Sequence, residues 1–89
     1  MSKQPKDFWK KYGFVIGSKN RILILKDLDT PKTPLQLSKK TDLGMNMTSR
    51  ALRELEKEGI IECKNPDAKI GRVYDLTSLG KEIVKKIGI

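Results

Sequence analysis

No histidine occurs anywhere in this sequence, and cysteine occurs once, as Cys63. The first absence removes the side chain that most acid–base catalysis near neutral pH recruits, and with it any Ser-His-Asp or Cys-His arrangement. The second removes an internal disulfide framework. Together they leave no ligand set for zinc, whose sites are built mainly from Cys and His. The seven glycines are scattered singly, so no glycine-rich loop is available to cradle a phosphate. No pair of acids is grouped as carboxylate-only catalysis would need. The chain therefore reads as a non-enzyme with no cofactor and no metal. No apolar run approaches the roughly 18 residues of a membrane span, and the start, Met1-Ser-Lys-Gln-Pro-Lys6, carries no hydrophobic signal core. A cytoplasmic location without a membrane partner is expected.

What the chain does have is positive charge. Nineteen Lys and Arg stand against eleven Asp and Glu, for a formal net charge of +8. Such an excess suits a polyanion, and nucleic acid fits better than an anionic membrane surface. Eighty-nine residues make one domain, since two independent cores would need roughly 100 residues or more. A single core of this size is marginal, which brings a homodimer into view. Lysine outnumbers arginine fifteen to four and isoleucine is frequent, a hint of an A·T-rich microbial genome.

Four of the five aromatics crowd into Asp7–Phe14. Phe8, Trp9 and Tyr12 share one side if Asp7–Tyr12 is helical, and Gly13 and Gly17 break the pattern. Residues 1–17 are thus read as an N-terminal aromatic extension, and residues 18–89 as the domain that follows. Ser18 caps a segment running through Arg21–Leu28. Its four consecutive aliphatics also suit a buried strand, but polar flanks and the spacing of Ile22, Leu25 and Leu28 favour helix. Thr30-Pro-Lys-Thr-Pro34 is an extended connector, because a residue before proline is pushed out of the helical region. Thr33 then caps a short helix to about Thr41, with Pro34 at its first position.

Asp42-Leu43-Gly44 makes a tight turn into a helix from about Met45 to Glu58, ended by Gly59. Ile60–Lys64 and Arg72–Leu76 alternate as two strands of a hairpin around Asn65-Pro66-Asp67. Cys63 in the first strand reads as a small buried hydrophobe, with a redox switch as the alternative. Thr77 caps a last helix in which Leu79, Ile83 and Ile87 are spaced by four.

The helix from Met45 carries the chemistry. At about 100° per residue, Thr48, Ala51, Leu52 and Leu55 fall within an arc of about 100°, a core-facing stripe. Asn46, Arg50, Arg53 and Lys57 fall within roughly 60° of one another on the opposite side. Ser49 flanks that face on one side, Met47 and Glu54 on the other. No carboxylate precedes Glu54, so the first two turns offer an amide, a hydroxyl and two guanidiniums. Arg forks onto guanine, Asn pairs with adenine, and these are the groups a major-groove helix needs. The competing reading is a solvated face on which Arg50 and Glu54 form an ordinary i,i+4 pair.

The run Leu35-Gln-Leu-Ser-Lys-Lys-Thr-Asp-Leu-Gly-Met-Asn-Met-Thr-Ser-Arg-Ala-Leu-Arg-Glu-Leu-Glu-Lys-Glu-Gly-Ile-Ile61, followed by Arg72-Val-Tyr-Asp-Leu-Thr-Ser-Leu-Gly80, resembles the prokaryotic winged-helix regulators of the MarR and ArsR kind over residues 18–88. The marks are Ser-Arg-Ala-Leu-x-x-Leu-x-x-x-Gly-Ile-Ile and then Tyr-x-Leu-Thr-x-x-Gly. The resemblance implies an α+β, mainly α, winged helix-turn-helix fold: a three-helix core, a two-stranded β wing and a C-terminal helix. It implies a recognition helix with Asn46, Met47, Ser49, Arg50 and Arg53 facing the groove and Lys57 further along. Residues 64–72 become the wing, with Lys64, Lys69 and Arg72 against phosphate or the minor groove. Basic residues at a hairpin tip also serve solubility alone, which Asp67 mildly favours.

Two departures stand out. Gly44 replaces the usual Ser or Thr cap, and Met45 and Met47 occupy positions that are usually polar. Burial is expected for Met45 and exposure for Met47. Metal sensing does not carry over, for want of Cys and His. The aromatics either cover the chain's own core or build a dimer interface with the last helix, and a mixture is expected. Phe8, Trp9, Tyr12, Ile83 and Ile87 form the candidate interface. The function expected is sequence-preferring binding of double-stranded DNA by a homodimeric transcription regulator. A winged helix used for protein–protein contact in a transcription or replication assembly is the alternative. RNA is disfavoured, because no exposed aromatic platform accompanies the charge. A small-molecule effector is left open.

Overall fold

The computed structural model describes residues 6–89, Lys6 by its backbone alone. The first five residues of the aromatic extension, and with them most of the polar start, lie outside the described residues. The elements run α1 (Lys6–Ile16), α2 (Lys19–Asp27), α3 (Pro34–Thr41), α4 (Met45–Lys57), β1 (Ile61–Cys63), β2 (Tyr74–Leu76) and α5 (Ser78–Ile87). This is a mainly helical α+β fold, a winged helix-turn-helix: α2, α3 and α4 pack together, the β1–β2 hairpin is the wing, and α5 closes the core. Among the described residues no helix is long and apolar enough to cross a membrane.

Local chemistry sets most boundaries. Ser18 accepts a hydrogen bond from the Arg21 amide at the start of α2. Thr33 and Gln36 form a reciprocal capping box at α3, which satisfies two amides that a helix start leaves without partners. Ser38 donates to the Leu43 carbonyl at 2.7 Å and Asp42 adopts φ 62°, so the α3–α4 turn is closed by side chains. Asp tolerates this left-handed conformation better than most residues. Gly59, at φ +74°, ends α4 as its position suggests.

The Ile22–Leu25 run is helix, with Ile24, Leu25 and Leu28 buried and Ile22 only partly covered. At the N-terminus Gly13 does not break the helix; α1 continues through it to Ile16. Glycine in a helix interior costs up to about 1 kcal/mol, but Phe8 on one side and Val15 on the other are buried in the chain's own core. Burial on both sides outweighs that local cost.

The wing strands are shorter than the alternation suggests, pairing antiparallel with Ile61 opposite Leu76 and Cys63 opposite Tyr74. Beyond them the Asn65 side chain takes over the ladder, accepting from the Val73 amide at 2.7 Å and donating to the Gly71 carbonyl at 3.1 Å. Cys63 is half-buried, its thiol 3.4 Å from the Asn65 side-chain oxygen Oδ1. The connector Thr30–Pro34 does more than connect. Lys32 exchanges both backbone hydrogen bonds with Tyr74, at 3.0 and 2.8 Å, and adds a one-residue bridge to the outer edge of β2.

The end of α4 is locked to the start of α5 through the Ile60 carbonyl, which accepts from the Thr77 amide at 3.1 Å. The Thr77 hydroxyl lies 2.6 Å from the Gly59 carbonyl oxygen and accepts from the Gly80 amide at 3.1 Å. The Thr-x-x-Gly run thus has a structural reason: Thr77 caps α5 and ties it to α4, while Gly80 lets the Ile60 backbone lie against the helix.

Candidate nucleic-acid interface

α4 divides into two faces. Thr48, Ala51, Leu52 and Leu55 are buried, and they hold the helix against α2 and α3. Asn46, Met47, Arg50, Arg53 and Lys57 are exposed on the other side, with Ser49 partly covered. Asn46, Met47, Arg50 and Arg53 line one shallow depression. Lys57, the last residue of α4, stands about 6 Å beyond Arg53 along the axis, at about 1.5 Å per residue.

Two of the three acids near the end of α4 are engaged by other elements, while the exposed Glu56 is not. Glu54 accepts from the Arg21 guanidinium, with Nη2 to Oε1 at 3.1 Å, so it is not the i,i+4 partner of Arg50. Arg21 also donates to the Phe14 carbonyl at 2.7 Å and stacks over the Phe14 ring, 3.7 Å from its centroid. Glu58 accepts from Lys11 Nζ at 2.7 Å; that hydrogen bond holds its carboxyl below the ordinary range and raises the Lys11 ammonium above its own. Two of the three acids in the second half of α4 therefore face cations from α1 and α2. Among the described residues Arg50 and Arg53 have no carboxylate partner, although Glu56 borders the same cleft as Arg53.

The start of α4 is open. Gly44 makes no side-chain cap, which weakens the helix start by a few tenths of a kcal/mol relative to Ser. Met47 is 49% exposed, as expected, but Met45 is 44% exposed rather than buried. It lies on the wing side, where it shares a groove with Ile70.

The three wing cations do not act alike. Lys69 is exposed. Lys64 is exposed too, with its ammonium 3.5 Å from Glu62. Arg72 is half-buried, donates to the Pro66 carbonyl at 3.0 Å and lines a cleft with Ser49, Arg53 and Tyr74. Its guanidinium braces the wing loop, a use that its place in an alternating strand does not reveal. Burial raises the pKa of the neighbouring Tyr74 phenol, so Tyr74 stays neutral at the wing base. Sequence reasoning also passed over Ile70, an aliphatic among turn residues that is 92% exposed. Its being out of place among polar neighbours was the available signal.

The candidate interface residues of α1 and α5 separate into two groups. Phe8 and Ile83 are buried within the chain, so they are unavailable to a partner. Trp9 is 45% exposed, and Tyr12 and Ile87 are partly exposed. Trp9 packs edge-on to Phe8 and Tyr12, with ring centroids 5.1 and 5.6 Å away, and the Lys86 ammonium lies 5.4 Å from its ring.

A family model described as HxlR-like helix-turn-helix matches residues 15–88. No curated protein sequence matches the chain. Among solved structures, a MarR-family transcription regulator is similar with a TM-score of 0.73 and 25% identity, covering 90% of this chain and 55% of its own. The chain thus spans about half the length of that relative. The homodimeric winged helix-turn-helix DNA-binding domain of Mb0332 from Mycobacterium bovis, a possible ArsR-family regulator, is similar with a TM-score of 0.69 and 17% identity, over 97% of this chain and 82% of the other. A mutant MarR from E. coli complexed with operator DNA is similar with a TM-score of 0.56 and 24% identity, over 91% and 71%.

Proposed function

Since the chain belongs to the HxlR-like helix-turn-helix family, we propose that it is a transcription regulator that binds duplex DNA with sequence preference, as a homodimer in the cytoplasm. The observation that carries this reading is the outward face of α4. Its exposed arginines have no acid partner among the described residues, while Glu54 and Glu58 are tied to Arg21 and Lys11. A merely solvated helix face has no need of that separation of charge. In the major groove Arg50 reaches guanine O6 and N7, Asn46 reaches adenine, and Met47 meets thymine methyl groups. Lys69 on the wing meets phosphate or the adjoining minor groove. The operator complex of the similar MarR and the homodimeric state of the similar Mb0332 domain support the same arrangement here.

Selection of bound duplexes from a random pool tests this reading. A palindromic motif with half-sites about one helical turn apart is expected. No retained duplex at low salt would favour a protein-contact module instead. Binding should also fall about a thousandfold between about 50 and 200 mM salt, as several phosphate contacts per subunit require. A salt-independent affinity would contradict the phosphate contacts.

The exposed apolar residues Trp9 and Ile16 of α1 and Ile89 just past α5, with the partly covered Ile87 of α5, are the dimer surface. Trp9→Ala is expected to shift sedimentation towards the monomer at tens of micromolar while the melting temperature of the monomeric unit changes little. An unchanged mass would place the interface elsewhere.

A further inference from the structure

Beside the outward face of α4 lies an apolar groove that the reading so far does not use. It runs between the wing and the start of the helix-turn-helix, lined by Pro34 and Leu35 of α3, Met45 of α4 and Ile70 of the wing, with Lys69 and Arg72 beside them. Leu35 is 54% exposed and Met45 44%. Ile70 is almost fully exposed. Three large apolar side chains thus gather in water beside two wing cations, and a cluster of exposed apolar side chains marks a binding surface more often than a scattered single one does.

We propose that this groove seats the sugar edge of one DNA strand, packing deoxyribose against Leu35, Met45 and Ile70. The inference rests on the DNA-binding reading above. In B-form DNA a single sugar-phosphate strand separates a major groove from the neighbouring minor groove. With α4 in one and the wing in the other, that strand has to pass between Met45 and Ile70. It carries anionic phosphates outward and C–H surfaces of deoxyribose along the minor-groove wall. The groove answers both, with an apolar floor for the sugars and the exposed Lys69 ammonium for the phosphates. A second copy of this chain answers only the apolar floor, because a chain with a formal charge of +8 brings like charge to the same cations.

A selectivity follows. Deoxyribose has only hydrogen at its 2′ carbon, whereas ribose has a hydroxyl displayed on the minor-groove side. Against Leu35 and Ile70 that hydroxyl loses water and finds no partner, which is unfavourable. The groove therefore favours deoxyribose over ribose in this strand.

The test uses Ile70→Ser, Leu35→Ser and Lys69→Ala in the full chain, on a selected duplex and a scrambled one. Ile70→Ser and Leu35→Ser should each weaken both duplexes about tenfold with an unchanged salt slope, since no counterion is involved. Lys69→Ala should lower the slope by about one unit. Single ribonucleotides walked along the flanking strand should weaken wild type at one or two adjacent positions, and Ile70→Ser should erase that penalty. Thermal melts confirm that the exposed substitutions leave folding intact. If wild type binds DNA but both apolar variants match it, or the ribonucleotide penalty persists in Ile70→Ser, the sugar seat is wrong and the DNA-binding reading stands. A change of sedimenting mass in Ile70→Ser would identify a second copy as the occupant and overturn the proposal. Failure of wild type to bind any duplex removes the DNA-binding reading itself.

Discussion

Gly80→Ala is expected to lower the melting temperature by about 15 °C or more, corresponding to roughly 3 kcal/mol in a domain of this size. A Cβ at Gly80 would collide with the Ile60 carbonyl oxygen and lie 3.2 Å from a Leu76 methyl. The obstacle is backbone, and the same carbonyl accepts the Thr77 amide that closes α4 onto α5. Displacing it opens the junction among α4, the wing and α5. Helix propensity alone predicts the opposite sign, because alanine is about 1 kcal/mol better than glycine in a helix interior. Gly13→Ala provides the contrast: Gly13 is also helical, and a Cβ there meets nothing within 4 Å. That variant should be neutral or stabilised by up to about 1 kcal/mol. Thermal melts that move equally in both variants would show that the Ile60 contact is not what requires glycine.

Arg50→Ala should cost roughly 1–3 kcal/mol of binding to a selected duplex and relax preference at one position of the site. In affinity this is about fivefold to 150-fold. Arg50 lies on the exposed side of α4 with Asn46 and Met47, in the depression nearest the helix start, where a helix-turn-helix reads bases. Arg53 shares that depression but also borders the cleft beneath the wing with Arg72. Its loss should therefore weaken specific and scrambled duplexes more evenly. Both side chains are exposed, so folding stability should change by less than about 0.5 kcal/mol. If Arg50→Ala reduces affinity uniformly across sequences, as expected for a phosphate contact, α4 is not the reader even though the fold stands.

What the sequence made legible was local. Ser18, Thr33 and Thr77 cap helices, Pro34 and Gly59 bracket them, and the four-residue spacing around Thr48–Leu55 gives the buried stripe. Each signal acts within one or two turns of chain. The misreadings all involve partners distant in sequence. Gly13 reads as a breaker until Phe8 and Val15 are seen buried in the shared core. The competing reading of Glu54 as the i,i+4 partner of Arg50 is set aside only once Arg21, 33 residues away, is seen to hold it. Met45 reads as core because its neighbour Ile70 lies across the wing loop. Lys32 reads as linker because its pairing with Tyr74 spans the whole helix-turn-helix. The position of the outward face was thus accessible from period alone, and the groove beside it was not.

The two faces of α4 also bear on how such a protein diversifies. Asn46, Met47, Arg50 and Arg53 are exposed, while the buried stripe holds the helix in place, so codon changes at those four positions leave the scaffold's stability margin nearly intact. Most substitutions that alter function must first be tolerated by a marginally stable fold. On the DNA-reading role proposed for these residues, that constraint is relaxed where target choice would be made. A duplicated gene could move to a new operator through two or three substitutions without a prior stabilising change.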